Sequence, residues 1–469
     1  MRPFLKRVLA ILCLLSLAGQ GCTKGVTPET AKASQRVELN VWSVIDDEDA
    51  YLPVLNDFRK LHPNVTINYR RLRLEEYEDA LLNALAEDRG PDVFLVHNDW
   101  TGKYLPKILP MPTATKIAYK VTIGTIKQEQ VWQLQTEATI TNKAFKEQFA
   151  DVVAVDTMRT VNVGTADKPD MEDRILGVPV TMDTLALYYN KDLLNAAGIP
   201  LPPETWSQFQ DDVKKLVKLD SAGNIVQAAA GIGTAYNVER AQDIVAALMM
   251  QNGAEMTDDA GNITFQRMPL ALEGTREEPP GSQALSFYAD FANPTKETYT
   301  WNGSQPNSLD AFVQGRAAFF LGYSYHLADI RARAPKLHIG ISKLPQIEGN
   351  PVKNYANYWY WAVSRKTKNA DLAWNFLNYL IKPEETKKVL DFVRRPAARK
   401  SQLTDQLNDE DVGAFASQVL TAKTWYQGSD PKATDDAFLT MINDVSTGAA
   451  TTLDAMRFAV DKISQTIGP

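Results

Sequence analysis

Residues 37–97 read VELNVWSVIDDEDAYLPVLNDFRKLHPNVTINYRRLRLEEYEDALLNALAEDRGPDVFLVH, and their periodicities set the fold. Val37, Leu39 and Val41 alternate with polar residues, which is the period of a strand. Leu52, Leu55 and Phe58 then recur at helical spacing until His62-Pro63 closes the helix. Val65, Ile67 and Tyr69 alternate again, Tyr77, Leu81 and Leu85 mark a second helix, and Gly90-Pro91 ends it. Val93 to Val96 is a continuous apolar run, as in a strand covered on both faces. Strand, helix, strand, helix, strand predicts a parallel sheet with right-handed crossovers. Ligands of such sheets sit beyond the carboxyl ends of the strands. Those ends are Trp42-Ser43 and His97-Asn98-Asp99-Trp100, each with an aromatic beside polar side chains. Trp42, Asn98, Asp99 and Trp100 are therefore candidate binding residues, while Asp46, Asp47 and Asp49 read as a solvated charge run.

A second unit opens at Ile175-Leu176-Gly177-Val178-Pro179-Val180, with Ala186 to Tyr189 as another buried strand. Thr205-x-x-Gln208 is a capping box before a helix carrying Phe209, Val213 and Leu216. Residues 266–283 are rich in Pro, Glu and Gly and read as a surface loop; Asp371 to Leu380 reads as a helix with Pro383 beyond its end. No Walker loop occurs, and Gly231-Ile232-Gly233 lacks the third glycine of a dinucleotide fingerprint. Gly322-Tyr323-Ser324-Tyr325-His326 approaches a nucleophile elbow but ends in His. The four histidines have no metal-ligand spacing and read as structural or surface residues, so no metal and no cofactor is expected.

The chain has 469 residues, 44% hydrophobic and 23% charged, which excludes collagenous, low-complexity and wholly disordered classes. Its formal charge of −7, with no basic stripe, argues against nucleic acid as a partner. Arg2, Lys6 and Arg7 precede an apolar run from Val8 to Leu17, the pattern of a secretory signal over residues 1–21. The only cysteines are Cys13 and Cys22, so a mature body has neither an internal disulfide nor a thiol metal site. Ala18-Gly19-Gln20-Gly21-Cys22 resembles a bacterial lipobox, although Leu17-Ala18-Gly19 sits two residues early. It implies that Cys22 is acylated, with residues 22–36 as the lipidated Cys and a polar tether.

Several segments together resemble the extracellular solute-binding protein family 1, the receptors of ATP-driven importers. Leu176-Gly177-Val178-Pro179, Ala186-Leu187-Tyr188-Tyr189-Asn190-Lys191-Asp192-Leu193, Ala197-Gly198-Ile199-Pro200 and Thr205-Trp206-Ser207-Gln208-Phe209 follow the family's order. Phe312-Val313-Gln314-Gly315-Arg316-Ala317-Ala318-Phe319-Phe320 is similar to its "F-x-x-G-K-A-A-M" segment, and Trp361-Ala362-Val363-Ser364 with Asn369 to Leu380 matches a later one. The resemblance implies an α/β, two-lobed periplasmic-binding-protein fold (type II-like), with parallel-rich sheets flanked by helices and an interlobe cleft. It places the first lobe at 37–180 plus 362–400 and the second at 181–361 plus 401–469. It implies a non-enzymatic, monomeric, lipid-anchored extracytoplasmic receptor that hands a small solute, a carbohydrate foremost, to ABC permease subunits. The other solutes are a polyol, glycerol phosphate or a peptide. A secreted carbohydrate-active enzyme and a sensor or adhesion lipoprotein are rival readings.

A sugar site wants flat aromatics for stacking, with carboxylates, amides and Arg for hydroxyls. Asp183 follows the interlobe segment, where the family often contributes to the cleft. Tyr323 and Tyr325 occupy the turn where it often has a cleft aromatic. Asn357 to Trp361 alternates aromatics on a crossing strand, and Trp359 is the preferred solute-facing residue. Arg395, beside Arg394 and Arg399, is a candidate clamp, against a surface reading for all three. Some relatives carry an aromatic contact before the penultimate helix. Here Ala437-Phe438-Leu439 is the comparable stretch, with Trp425 and Tyr426 in the preceding segment.

Overall fold

The structure is a computed structural model describing residues 27–165 and 167–468; the signal segment and Cys22 lie outside the described residues. The stretch 37–97 folds as its periodicities predict. Val37–Ser43 pairs in parallel with Val65–Arg71 on one side and Val93–His97 on the other. Helices Glu48–Leu61 and Leu74–Ala86 form the crossovers. The sheet continues with Trp359–Val363, antiparallel to Val93–His97, and then Gly177–Val178. Phe58, on the apolar face of its helix, meets Phe376 edge-on at 5.2 Å, tying the first crossover to helix Ala370–Leu380. Burying each such ring contributes about 2 kcal/mol.

The second lobe carries a sheet of order Lys218–Leu219, Ile225–Ala230, Ala317–Gly322, Ala186–Asn190, Ile339–Lys343. One neighbouring pair in it, Ile225–Ala230 with Ala317–Gly322, is parallel; the others run antiparallel. Thr205 Oγ1 accepts from the Gln208 amide at 3.2 Å and Gln208 Oε1 from the Thr205 amide at 3.3 Å, completing the expected capping box. The helix it starts, Trp206–Leu216, turns Phe209 onto Phe319 at 5.3 Å. The loop expected over 266–283 is shorter. Helix Pro280–Asp290 begins inside it, because a proline in the first helical turn has no amide to lose.

Three short strands, Asp183–Thr184, Asn354–Asn357 and Ala422–Lys423, form a small sheet where the chain passes between lobes. Its position moves two of the expected boundaries. Trp359–Val363 belongs wholly to the first sheet, so the second passage is complete by Tyr358 rather than 361. Leu403, Val412, Ala416 and Val419 pack in the first core while Phe415 between them meets Tyr188 of the second lobe at 5.9 Å, so this segment is shared, and the main second core resumes at Trp425 and Tyr426 rather than at 401. Alternation along 357–361 showed a strand but not which sheet would take it.

Two hairpins were not anticipated: Ala114–Ile123 with Glu129–Ala138, and Met158–Asn162 with Met171–Ile175. Ile117, Tyr119, Val121 and Ile123 do alternate in the first hairpin, a strand signal the sequence reading passed over, whereas the second hairpin is mostly exposed or half-buried and carries no such alternation.

Candidate functional site

The lobes meet over a cavity of about 20 Å³, room for roughly one water. Its wall combines Asn98 and Asp99 from the end of a first-lobe strand, Tyr355 from the passage strand, and Asp243, Trp425 and Asp435 from the second lobe. Anything of sugar size therefore enters only when the lobes separate.

On the first-lobe side, Asn98 grips the passage segment twice. Its amide donates to Tyr358 O at 3.0 Å and its Oδ1 accepts from the Tyr358 amide at 3.1 Å. Asp99 bonds His97 Nδ1, whose other nitrogen lies 3.2 Å from Asn357 Oδ1. Burial opposes charge on His97, but Asp99 outweighs it and holds the imidazole pKa above its ordinary value. Trp100 stacks on Tyr104 at 5.7 Å and meets Trp359 edge-on at 5.1 Å. Trp359 also abuts His97 at 5.1 Å and Tyr77 at 5.9 Å, so Trp100 and Trp359 pack into one aromatic cluster, and neither is in the cavity wall where the sequence reading expected them. Tyr358 and Tyr360 turn inward and hydrogen-bond Asp156 and Thr101.

On the second-lobe side, helix Ala241–Gln251 begins at Arg240, whose φ of 55° is left-handed. Such a backbone costs a non-glycine residue about 1–2 kcal/mol. The Arg240 fork donates to both oxygens of Asp243, at 2.8 and 3.0 Å, which offsets the strain. Burial disfavours the guanidinium charge, yet Asp243 keeps it firmly protonated. Asp243 also accepts from the Tyr323 hydroxyl at 2.6 Å. Tyr323 is fully buried and Tyr325, 42% exposed, stacks on it at 5.6 Å. Helix Pro431–Ser446 brings Asp435, whose carboxyl burial pushes up to about 7, with Arg240 pulling it down and Asp99 and Asp243 adding to the rise.

The remaining candidates are structural ties. Asp183 accepts from the amide and hydroxyl of Ser324, at 2.9 and 2.6 Å, and from the Thr184 amide, so its acceptors are spent joining the passage strand to the 322–325 turn. Burial raises its pKa against those donors. Trp42 is half-buried under the Arg70 guanidinium, 5.0 Å from the ring, and is not in the cavity wall. Arg395 grips Asp46 at 2.5 Å, with both side chains largely buried. This corrects two expectations, because Asp46 is not a solvated charge and Arg395 is not a surface residue. Arg399 is buried as well, donating to Ile381 O and Gln148. Ser324 bonds Asp183 while His326 Nδ1 accepts from the Tyr323 amide, so no serine–histidine pair exists in that turn. Among the described residues no cluster of three His, Cys, Asp or Glu could hold a metal, and no helix is long and apolar enough to cross a membrane.

Arg240, Asp243, Tyr355 and Asp435 escaped the sequence reading, since each is one charged or aromatic residue in an ordinary helical or strand context. Trp425, Tyr426 and Phe438, noted only by analogy, do reach the cavity.

A family model described as bacterial extracellular solute-binding protein matches residues 42–387. The chain belongs to that family. Among curated relatives of this solute-binding protein, a multiple sugar-binding protein of Streptococcus mutans is 24% identical over 60% of this chain and 65% of its own length. The sn-glycerol-3-phosphate-binding periplasmic protein UgpB of Yersinia pseudotuberculosis is 27% identical over 54% of this chain and 57% of its own. In both, less than two thirds of the relative's length is matched. Among solved structures, the maltose-binding protein MalE of Listeria monocytogenes, in complex with maltose, aligns with a TM-score of 0.66 at 19% identity, covering 92% of this chain and 99% of its own. A cyclo/maltodextrin-binding protein complexed with maltotetraose gives 0.66 at 16% identity over 91% and 96%. These likenesses show the two-lobed fold.

Proposed function

We propose that this solute-binding protein is the extracytoplasmic receptor of an ABC importer. It captures a small carbohydrate between its lobes and passes it to the permease without chemical change. One observation carries this reading: a single cavity draws its wall from both lobes and from the strand between them. A ligand there stabilises the closed arrangement by its differential affinity for it. The wall combines aromatic side chains with carboxylates, the groups that suit a ring with hydroxyl edges and C–H faces. The sugar-binding relative and the maltose-type neighbours support a carbohydrate. Glycerol phosphate, suggested by UgpB, fits less well, because Asp99, Asp243 and Asp435 face the space and Arg240 has spent its fork on Asp243.

In this reading Cys22 carries the lipid anchor and the receptor works as a monomer on the outer face of a membrane. The test is a saccharide panel read by melting temperature and small-angle scattering. The right sugar raises the first and shrinks the radius of gyration as the lobes close. No response across the panel removes the carbohydrate assignment.

A further inference from the structure

The interlobe cavity is unbalanced in charge. Asp99 is matched by His97, and Asp243 by Arg240 with Tyr323 adding a third bond. Asp435 faces the same cavity and makes no hydrogen bond or ion pair with any described residue. Asp435 is half-buried, and closing a ligand over it removes its remaining water, so the entering molecule has to supply what the protein withholds. A second feature points the same way. Trp425, only 8% exposed, lines the cavity. With Tyr355 and Tyr426 it supplies the aromatic part of the wall that also carries the unpaired acid.

Three ligand classes can be compared on these grounds. A phosphate or carboxylate adds negative charge to negative charge. A neutral sugar donates hydroxyls to Asp435 but does nothing to favour its charged form. A protonated amine cancels the charge and gains attraction from the aromatic faces as well. Building on the receptor reading above, we infer that the solute is an amine-bearing saccharide whose ammonium sits against Asp435, with its ring on the Trp425 and Tyr355 side of the cavity. The raised carboxyl of Asp435 agrees with a group whose partner is the ligand.

The experiment is calorimetric titration of the full protein, near neutral pH, with matched sets of oligosaccharides. Each set holds a free-amine glucosamine or galactosamine oligomer, its N-acetylated form and its all-hydroxyl counterpart. The expected result is about tenfold tighter binding of the amine form, with the preference abolished in Asp435→Asn. The unliganded melting temperature of Asp435→Asn should equal or exceed that of the unaltered protein, which shows that the variant folds. Equal binding of amine and hydroxyl forms overturns this inference and leaves the receptor reading standing. So does an amine preference that survives Asp435→Asn. Failure of every saccharide to bind overturns both.

Discussion

Tyr358 donates its phenolic hydrogen to Asp156 Oδ2 at 2.7 Å, joining helix Asp151–Thr157 of the first lobe to the end of the second passage between lobes. The other oxygen of Asp156 accepts from Thr424 at 2.5 Å and Gln427 at 3.0 Å, just after the third passage. One fully buried carboxylate thus gathers two of the three segments that connect the lobes. Its removal should be felt in the whole molecule. Asp156→Ala is expected to lower stability by about 3 kcal/mol, since it strands three donors. Urea denaturation measures this, and an unchanged midpoint would refute the tie.

The same group gives a pH dependence. Burial raises the Asp156 carboxyl to about 6, against the donors Thr424, Tyr358 and Gln427 and the nearby Arg159. Because the folded pKa lies above the unfolded one, the contribution is fully present below the unfolded pKa and is lost as pH rises through about 6. Relative to Asp156→Asn, the unaltered protein should lose about 3 kcal/mol between about pH 4 and about pH 7. Parallel stability curves for the two proteins would sink the idea.

Arg395 and Asp46 lie far apart in sequence and form a largely buried pair at 2.5 Å. A double-mutant cycle with Arg395→Met and Asp46→Asn should return a coupling energy of about 1–3 kcal/mol. A value near zero would reduce the pair to an incidental contact.

Tyr323→Phe removes the hydroxyl that holds Asp243 opposite Arg240. A buried hydrogen bond to a charged acceptor contributes about 2 kcal/mol, and stability should fall by that amount. Solute affinity should fall about tenfold as the Arg240–Asp243 pair loosens, since about 1.4 kcal/mol is one decade. Lowered stability with unchanged affinity would confine Tyr323 to a structural role.

Cys22→Ser should move the protein from the membrane fraction to the soluble fraction, because one residue carries the proposed acyl attachment. Retention of the variant on membranes would end the lipobox reading.

Much of the scaffold was legible in short-range pattern. The alternations at Val37 and Val65, the helix around Leu52 to Phe58 and the capping box at Thr205 all formed where local periodicity placed them. Asn98 and Asp99 reached the cavity because they end a strand of a parallel set, a rule that works from topology alone. Trp42 ends a strand too, yet Arg70 from the neighbouring strand covers it. Its register partner could not be read from its own segment.

The sequence by itself determined the α/β alternation, the order of the family's segments, and the confinement of both thiols to the first twenty-two residues. These depend on periods of a few residues and on composition, which survive without knowledge of the partner. Only the tertiary structure decided that Trp359 joins the first sheet, that Asp46 is paired with Arg395, and that Arg240 is spent on Asp243 while Asp435 faces the cavity unpaired. A carboxylate's role is set by its burial and by the charge beside it. Those are properties of neighbours that the chain brings together across hundreds of residues.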